Sequence, residues 1–288
     1  MGKVIGFCNQ KGGTGKTTSI VNLASFFALA GRKTLLIDLD PQGNAGSGLG
    51  INKDTLEHTA YELLAQKIQP EKAIYHTNIR YLYAIPSNSS LAGAEIELVQ
   101  LEDREFRLKE VINKIRDNFE FILIDAPPSL GLLTINILAA SDGVIIPIQC
   151  EYYALEGLSR LFQTIDLIRE RLNPGLEIEG VLLTMADFRT RLTSQVIDEV
   201  KKFFKDKVYK TVIPRNIRLS EAPSFGKPIY FYEPFSTGAK AYFNLACEVL
   251  KEEIKGVYDG EESIRQRVGS FDSQERDNSG SPERIRLY

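Results

Sequence analysis

The first stretch of this chain whose residues could do chemistry is a glycine-rich turn. It lies between an apolar run and an amphipathic segment. The run from Val4 to Cys8 predicts a buried strand, and the apolar spacing after residue 19 predicts a helix. Between them lies the sequence Gly12-Gly13-Thr14-Gly15-Lys16-Thr17-Thr18. Glycines let consecutive backbone N–H groups surround a phosphate chain, and the positive end of the helix dipole attracts the same anion. A strand, a glycine loop, Gly-Lys-Thr and a helix together predict a P-loop.

Two side chains of the loop have the chemistry needed to bind a nucleoside triphosphate. Lys16 is placed to reach the β- and γ-phosphates, and the Thr17 hydroxyl is a hard oxygen ligand of the kind that Mg²⁺ accepts. The residues predicted to bind the nucleotide through this loop are Gly12, Gly13, Thr14, Gly15, Lys16, Thr17 and Thr18.

Two further apolar runs end in carboxylates. Residues 33–38 lead to Asp38 and Asp40, and residues 119–125 end at Asp125. Because ligands of open α/β sheets bind at the carboxyl edge of the strands, these side chains are expected beside the P-loop. Asp125 is predicted to hold Mg²⁺ through a water, since Mg²⁺ keeps part of its hydration shell. The alternative for Asp38 and Asp40 is that they only cap the turn that follows.

Composition limits the class of protein. The chain has 288 residues, a hydrophobic content of 43 %, a charged content of 25 % and a net charge of −3, as expected for a soluble globular protein. The three cysteines are far apart and form no Cys-x-x-Cys, which argues against a zinc, iron–sulfur or disulfide framework and fits a reducing cytoplasm. No signal peptide is expected, and no run reaches the roughly 18 apolar residues of a membrane span.

Alternating strand and helix patterns predict the fold class. Apolar runs at 143–148, 178–185 and 208–213 alternate with helical patterns at 154–170 and 189–204. Such alternation predicts an α/β fold with a mainly parallel twisted sheet and helices on both faces. We expect one ATPase domain over residues 1–255. Residues 256–288 are polar, with few side chains to bury, and are predicted to be a disordered tail.

Four stretches carry a resemblance to a known family. The loop sequence from Lys11, with Gln10 at the usual first glycine position, resembles the deviant Walker A motif of the ParA/MinD ATPases. Residues 38–44 resemble the switch I element of that family, and residues 125–128 resemble its switch II element. Residues 211–228 are similar to the Soj/ParA branch in particular. The resemblance covers about residues 3 to 255.

The resemblance implies a mechanism. It implies that ATP and Mg²⁺ are the cofactors, that ATP closes a sandwich homodimer, and that Lys11 crosses to the nucleotide of the partner. It also implies that Asp40 positions the attacking water, that the base lies beside Pro214 and Arg215, and that Glu151 lies at the dimer or nucleotide edge. The catalytic residues predicted in this way are Lys11, Lys16 and Asp40. The implied function is partitioning of a chromosome or plasmid by a cytoplasmic, nucleoid-associated ATPase with a ParB-like partner.

The charge distribution favours DNA as a second partner. Residues 189–227, called the basic segment below, contain ten basic and four acidic residues, although the whole chain is acidic. Such a patch can bind phosphates without reading sequence. Arg189 and Arg218 are the predicted contacts with non-specific double-stranded DNA, the latter from the family resemblance. A solvated helix face would show the same charge pattern.

Two other functions use the same fold. A MinD-like, membrane-associated positioning ATPase would need a C-terminal amphipathic anchor. Residues 282–288 are short and polar for that role, and we expect no stable membrane association. An iron–sulfur carrier or nitrogenase-like reductase would need paired cysteines, which the sequence lacks.

Overall fold

One sheet organises the chain. The structure is a computed structural model that describes residues 1–152, 154–155 and 158–277. Within these residues seven strands form the sheet in the order β3-β4-β2-β5-β1-β6-β7. They are β1 (Lys3–Phe7), β2 (Thr34–Asp38), β3 (Tyr75–His76), β4 (Leu82–Ile85), β5 (Phe121–Asp125), β6 (Gly143–Gln149) and β7 (Glu177–Thr184). Only β3 pairs antiparallel.

Helices connect the parallel strands, as crossovers must. They are α1 (Lys16–Leu29), α2 (Asn44–Ser47), α3 (Ala60–Leu64), α4 (Leu91–Leu98), α5 (Arg107–Ile115), α6 (Leu132–Ala140), α7 (Leu158–Arg171), α8 (Arg191–Phe204), α9 (Ile217–Glu221), α10 (Ile229–Tyr232), α11 (Thr237–Leu250) and α12 (Glu261–Asp277).

The central strands are buried on both faces. Along β1, Val4 points into one hydrophobic core and Ile5 and Phe7 into the other, because successive side chains of a strand alternate. The first core contains the buried side chains of α3 to α8, and the second contains those of α1, α2 and α9 to α12. The prediction of a mainly parallel sheet with helices on both faces is confirmed.

The predicted strand at 208–213 is wrong. This segment follows the outer edge of β7, where Tyr209 N donates to Val181 O and Ile213 N donates to Leu183 O. Between these contacts the N–H groups of Lys210 and Thr211 donate instead to the Glu248 carboxylate of α11, at 2.6 and 3.0 Å. The pairing with β7 is therefore reduced to isolated bridges.

The C-terminal part differs from the predicted disordered tail. Residues 261–277 form α12, and Ile264 and Phe271 of this helix are each only 2 % exposed. Ile264, Val268 and Phe271 have helical spacing and pack into the second core. The prediction of disorder relied on the polar composition of the segment and overlooked this spacing. Residues 278–288 lie outside the described residues, so the anchor considered at 282–288 is not described either. Among the described residues, no helix combines the length and apolar character needed to cross a membrane.

Candidate nucleotide site

The glycine loop has the backbone conformation that an anion cradle needs. Gly13 and Gly15 adopt φ angles of +72° and +83°, in the left-handed region that favours glycine. The helix α1 begins directly after Gly15, so its N–H groups face the loop. Lys16 is only 6 % exposed, and its Nζ donates to the carbonyl of Lys11 at 3.3 Å. Burial lowers the pKa of Lys16, and the nearby Asp125 carboxylate opposes that shift.

Asp125 lies beside the loop because β5 pairs with β1. Thr17 Oγ1 donates to Asp125 Oδ2 at 2.6 Å. The carboxylate is fully buried, and burial raises its pKa well above the usual range, with Asp38 adding to the effect. Its Oδ1 atom has no hydrogen-bond partner within the part of the chain that the structure describes. A buried, unpartnered carboxylate oxygen next to a threonine hydroxyl is a donor set that fits Mg²⁺.

Asp38 and Asp40 have different surroundings. Asp38 is fully buried and accepts hydrogen bonds from the backbone N–H groups of Asp40, Ala45 and Gly46, at 3.0, 2.9 and 3.3 Å. It therefore fixes the loop that carries Asp40 and leads into α2. Burial raises the pKa of Asp38 to about 7, although these hydrogen bonds act against the shift. Asp40 is 8 % exposed, and its Oδ1 accepts from Gln42 N at 2.9 Å, which is the turn-capping contact that the sequence left open.

Lys11 points away from the buried end of the loop. Its Nζ lies 3.0 Å from Glu151 Oε2, and the two side chains are 43 % and 50 % exposed. The loop thus presents one buried lysine, Lys16, and one solvent-exposed lysine, Lys11. Glu151, which is predicted at the dimer or nucleotide edge, thus lies beside the exposed lysine of the loop.

A cavity of about 270 Å³ is lined in part by Gly15 of the loop and Thr18 of α1. Pro214 and Arg215, the predicted base contacts, both line it. The bridge between Ala186 and Pro214 and the hydrogen bond from Arg215 N to Ala186 O hold them at the end of β7.

Sequence reasoning missed two residues of this region. Thr184, the last residue of β7, lines the cavity, and its hydroxyl donates to Thr14 O at 2.9 Å. A polar residue that ends an apolar strand was the available signal, because strand ends meet ligands in this type of sheet. Tyr242 lines the same cavity, and its hydroxyl lies 3.0 Å from that of Ser19. No local pattern marks this residue.

The two predicted DNA contacts lie on the surface with short-range acidic partners. Arg189 pairs with Asp187 at 2.7 Å, and Arg218 pairs with Glu221 at 2.8 Å. Their side chains are 87 % and 53 % exposed. Hydrogen bonds from Arg189 lower the pKa of Asp187 to about 2, and the charge of Arg215 contributes in the same direction. The fold therefore brings Arg189 and Arg215 close to the same carboxylate.

Known proteins are similar to this chain in sequence and in fold. A family model described as "AAA domain" matches residues 2–178. The chain is 58 % identical over 249 residues to the sporulation initiation inhibitor protein Soj of Bacillus subtilis, a match that covers 86 % of this chain and 98 % of that protein. It is 50 % identical over 253 residues to the chromosome-partitioning ATPase Soj of Treponema pallidum, covering 88 % of this chain and 99 % of that protein. The chain belongs to the ParA/Soj family of ATPases.

A solved structure supports the ParA/Soj assignment at the level of the fold. It is described as cobyrinic acid a,c-diamide synthase from Mycobacterium smegmatis with bound ADP and magnesium. The TM-score is 0.77 with 35 % sequence identity, and the match covers 87 % of this chain and 95 % of that chain. The resemblance drawn from the four sequence stretches is thereby confirmed for the family and for the P-loop α/β fold.

Proposed function

We propose that this ParA/Soj-family chain is a Mg²⁺-dependent ATPase that forms an ATP-dependent sandwich dimer, binds DNA non-specifically and drives chromosome or plasmid partitioning with a ParB-like partner. The observation that carries the proposal is that the two lysines of the P-loop lie in different environments. Lys16 is buried beside Asp125, whereas Lys11 of the same loop is exposed on the protein surface.

The residues around the loop divide the work of phosphoryl transfer, which consists mainly of positioning and electrostatics. The loop N–H groups and Lys16 hold the phosphates and neutralise their charge. Thr17 would ligate Mg²⁺ directly and Asp125 through a water, and the ion neutralises charge that develops on the phosphate oxygens. Asp40 orients the attacking water and accepts a hydrogen bond from it. Asp38 fixes the position of Asp40 through its contact with the Asp40 N–H.

The surface position of Lys11 supports the dimer. Exposed ion pairs contribute only about 0 to 1 kcal/mol, so the contact between Lys11 and Glu151 opens at little cost. A free Lys11 ammonium can then reach a phosphate that is held by a second copy of the chain. Two nucleotides would lie between the two P-loop surfaces.

The basic segment supports the DNA role. Arg189 and Arg218 keep more than half of their side-chain surface in contact with solvent, and their acidic partners lie within three residues of them. Phosphates can replace such exposed carboxylates at little cost. A dimer doubles the number of phosphate contacts, so ATP would increase DNA affinity through dimerisation, and nucleoid association would follow.

The decisive experiment is equilibrium binding to random-sequence duplex DNA with ATP, with ADP and without nucleotide, over a series of salt concentrations. We expect strong binding only with ATP and a steep decrease with salt, because bound phosphates release counterions. Absence of binding in all three states would contradict the DNA role. ATP-dependent sedimentation with anionic liposomes would then support the MinD-like alternative instead.

A further inference from the structure

The helix α12 covers one end of the basic segment. Lys227 is the last cation of that segment, and its Nζ lies 2.6 Å from Asp272 Oδ1 of α12. The Lys227 side chain is 18 % exposed, against 87 % for Arg189 and 53 % for Arg218. Lys227 is therefore much less accessible to a phosphate than the two arginines.

Asp272, an acidic partner of Lys227, comes from a distant part of the chain. Arg189 and Arg218 pair with carboxylates two and three residues away, whereas Asp272 lies 45 residues further along the chain. It belongs to a helix beyond the 1–255 domain. The match with the Bacillus subtilis protein uses 98 % of that protein but 86 % of this chain, so this chain is longer than that relative. The contact between Lys227 and Asp272 thus joins two segments that are far apart in sequence.

Among residues 261–273, whose side chains the structure describes, three apolar side chains of α12 pack into the second core: Ile264, Val268 and Phe271. Phe271 stacks on Phe231 of α10 with ring centroids 4.4 Å apart, and the Lys227 ammonium lies 5.8 Å from the centre of the Phe271 ring. Ile264 is the other buried anchor. Gly269 lies within the helix between these anchors, and glycine weakens helix interiors. Segments with few buried apolar contacts open locally at lower cost than the rest of a fold.

We propose that α12 is a detachable cover that competes with DNA for Lys227. When α12 is docked, Asp272 occupies the position of a DNA phosphate at the Lys227 ammonium. When α12 undocks, each protomer gains one phosphate contact at the end of the basic segment. This inference rests on the proposed DNA-binding function.

The test compares full-length variants in the ATP-bound DNA-binding assay. Asp272→Asn removes the carboxylate, and Phe271→Ala releases the helix from α10. Glu261→Gln is the matched control, because it makes the same charge change on the same helix in a pair with Arg265. We expect Asp272→Asn and Phe271→Ala to bind DNA several-fold more tightly, with the salt dependence steeper by about 0.9 per protomer. The control should stay within about twofold of the wild type, as expected for a surface change that makes no phosphate contact.

A second pair of variants tests whether the gain in DNA affinity depends on Lys227. Lys227→Ala should abolish the effect, so that Lys227→Ala with Asp272→Asn binds DNA like Lys227→Ala alone. Equal affinity of Asp272→Asn and Glu261→Gln, in a wild-type protein that does bind DNA, would overturn the cover and leave the DNA role intact. Absence of DNA binding by every variant would overturn the DNA role, and the cover with it.

Amide hydrogen exchange gives an independent readout in the wild type. The amides of residues 261–277 should exchange faster when DNA is bound, because the helix undocks. Unchanged protection of these amides on saturation with DNA would refute the cover.

Discussion

Three carboxylates, those of Asp38, Asp40 and Asp125, lie at the carboxyl edge of the sheet within an otherwise apolar interior. Asp38 and Asp125 occupy paired positions on β2 and β5, so each raises the cost of ionising the other. Three backbone N–H groups donate hydrogen bonds to Asp38, and these partly offset the cost of ionising it. Ionising Asp38 and Asp125 together is therefore unfavourable, and a bound cation would favour their ionised forms.

The raised pKa of Asp38 predicts a pH-dependent stability. The group titrates near 4 in an unfolded chain and at about 7 in the folded protein. Between these values the folded state retains a proton that the unfolded state has released. The free energy of unfolding of the nucleotide-free protein should therefore fall as pH rises from about 4 to 7, by at most about 1.4 kcal/mol per pH unit for one proton.

Urea unfolding without Mg²⁺ at a series of pH values would measure this slope. Asp38→Asn should reduce it, whereas Asp54→Asn, at an exposed carboxylate, should not. An identical slope in Asp38→Asn and the wild type would show that another group is responsible.

Asp40→Ala should separate binding from hydrolysis. The P-loop contacts do not involve this side chain, so ATP affinity should stay within about threefold of the wild type. Loss of the group that orients the water should lower turnover by about a hundredfold or more. Single-turnover hydrolysis and a nucleotide-binding titration would measure the two effects, with Asp54→Ala as the control. Normal turnover would remove Asp40 from the mechanism.

At the scale of elements, Asn22 connects the P-loop helix to the C-terminal region. Its Oδ1 accepts a hydrogen bond from the backbone N–H of Ile229, at the start of α10, at 2.7 Å. Its Nδ2 donates to Thr18 O at 2.8 Å. The residue is 4 % exposed. One side chain thereby connects the first turn of α1 to the helix on which α12 docks.

Asn22→Ala should destabilise the protein by about 1–3 kcal/mol, because it leaves a buried backbone N–H without its partner. Asn113→Ala is the matched control, since Asn113 is exposed on α5 and alanine is a better helix former. We expect that control to stay within about 0.5 kcal/mol of the wild type. Denaturant unfolding measures both variants, and equal stability of the two would exclude the coupling role.

The sequence predicted what is encoded locally. The P-loop and the strand ends at Asp38 and Asp125 could be located because phosphate binding demands particular residues in a fixed order. The pairing of Asp38 with three N–H groups of the following loop depends on the folded path of residues 40–46, which no motif specifies. Thr184 and Tyr242 line the same cavity as Pro214 and Arg215, although they belong to elements that are remote in sequence. The apolar pattern of 208–213 did identify a segment that lies along the sheet. The segment is not a strand, because two of its backbone N–H groups donate to Glu248.

At the scale of the whole molecule, charge is separated along the chain. The basic segment holds an excess of six positive charges in a protein of net charge −3. The remainder is therefore acidic and would repel DNA, so binding should be favoured at the basic segment.

Arg218→Glu should weaken ATP-dependent DNA binding by about tenfold or more and make its salt dependence less steep, while ATP binding is retained. Arg171→Glu makes the same charge change at the end of α7, outside the basic segment and exposed. We expect that control to have a much smaller effect. Equal losses in both variants would indicate a general charge effect rather than a contact at Arg218.

The segment beside β7 has a consequence for how copies of the molecule can associate. Residues 208–213 cover the outer edge of β7. Tyr209 N and Ile213 N donate to β7, and the N–H groups of Lys210 and Thr211 between them donate to Glu248. At the opposite edge, β3 has only two residues. A blocked edge and a very short one offer no template for another strand, so the sheet cannot grow from one molecule into the next. Any assembly of this chain would then have to form through side-chain surfaces rather than by strand pairing between molecules.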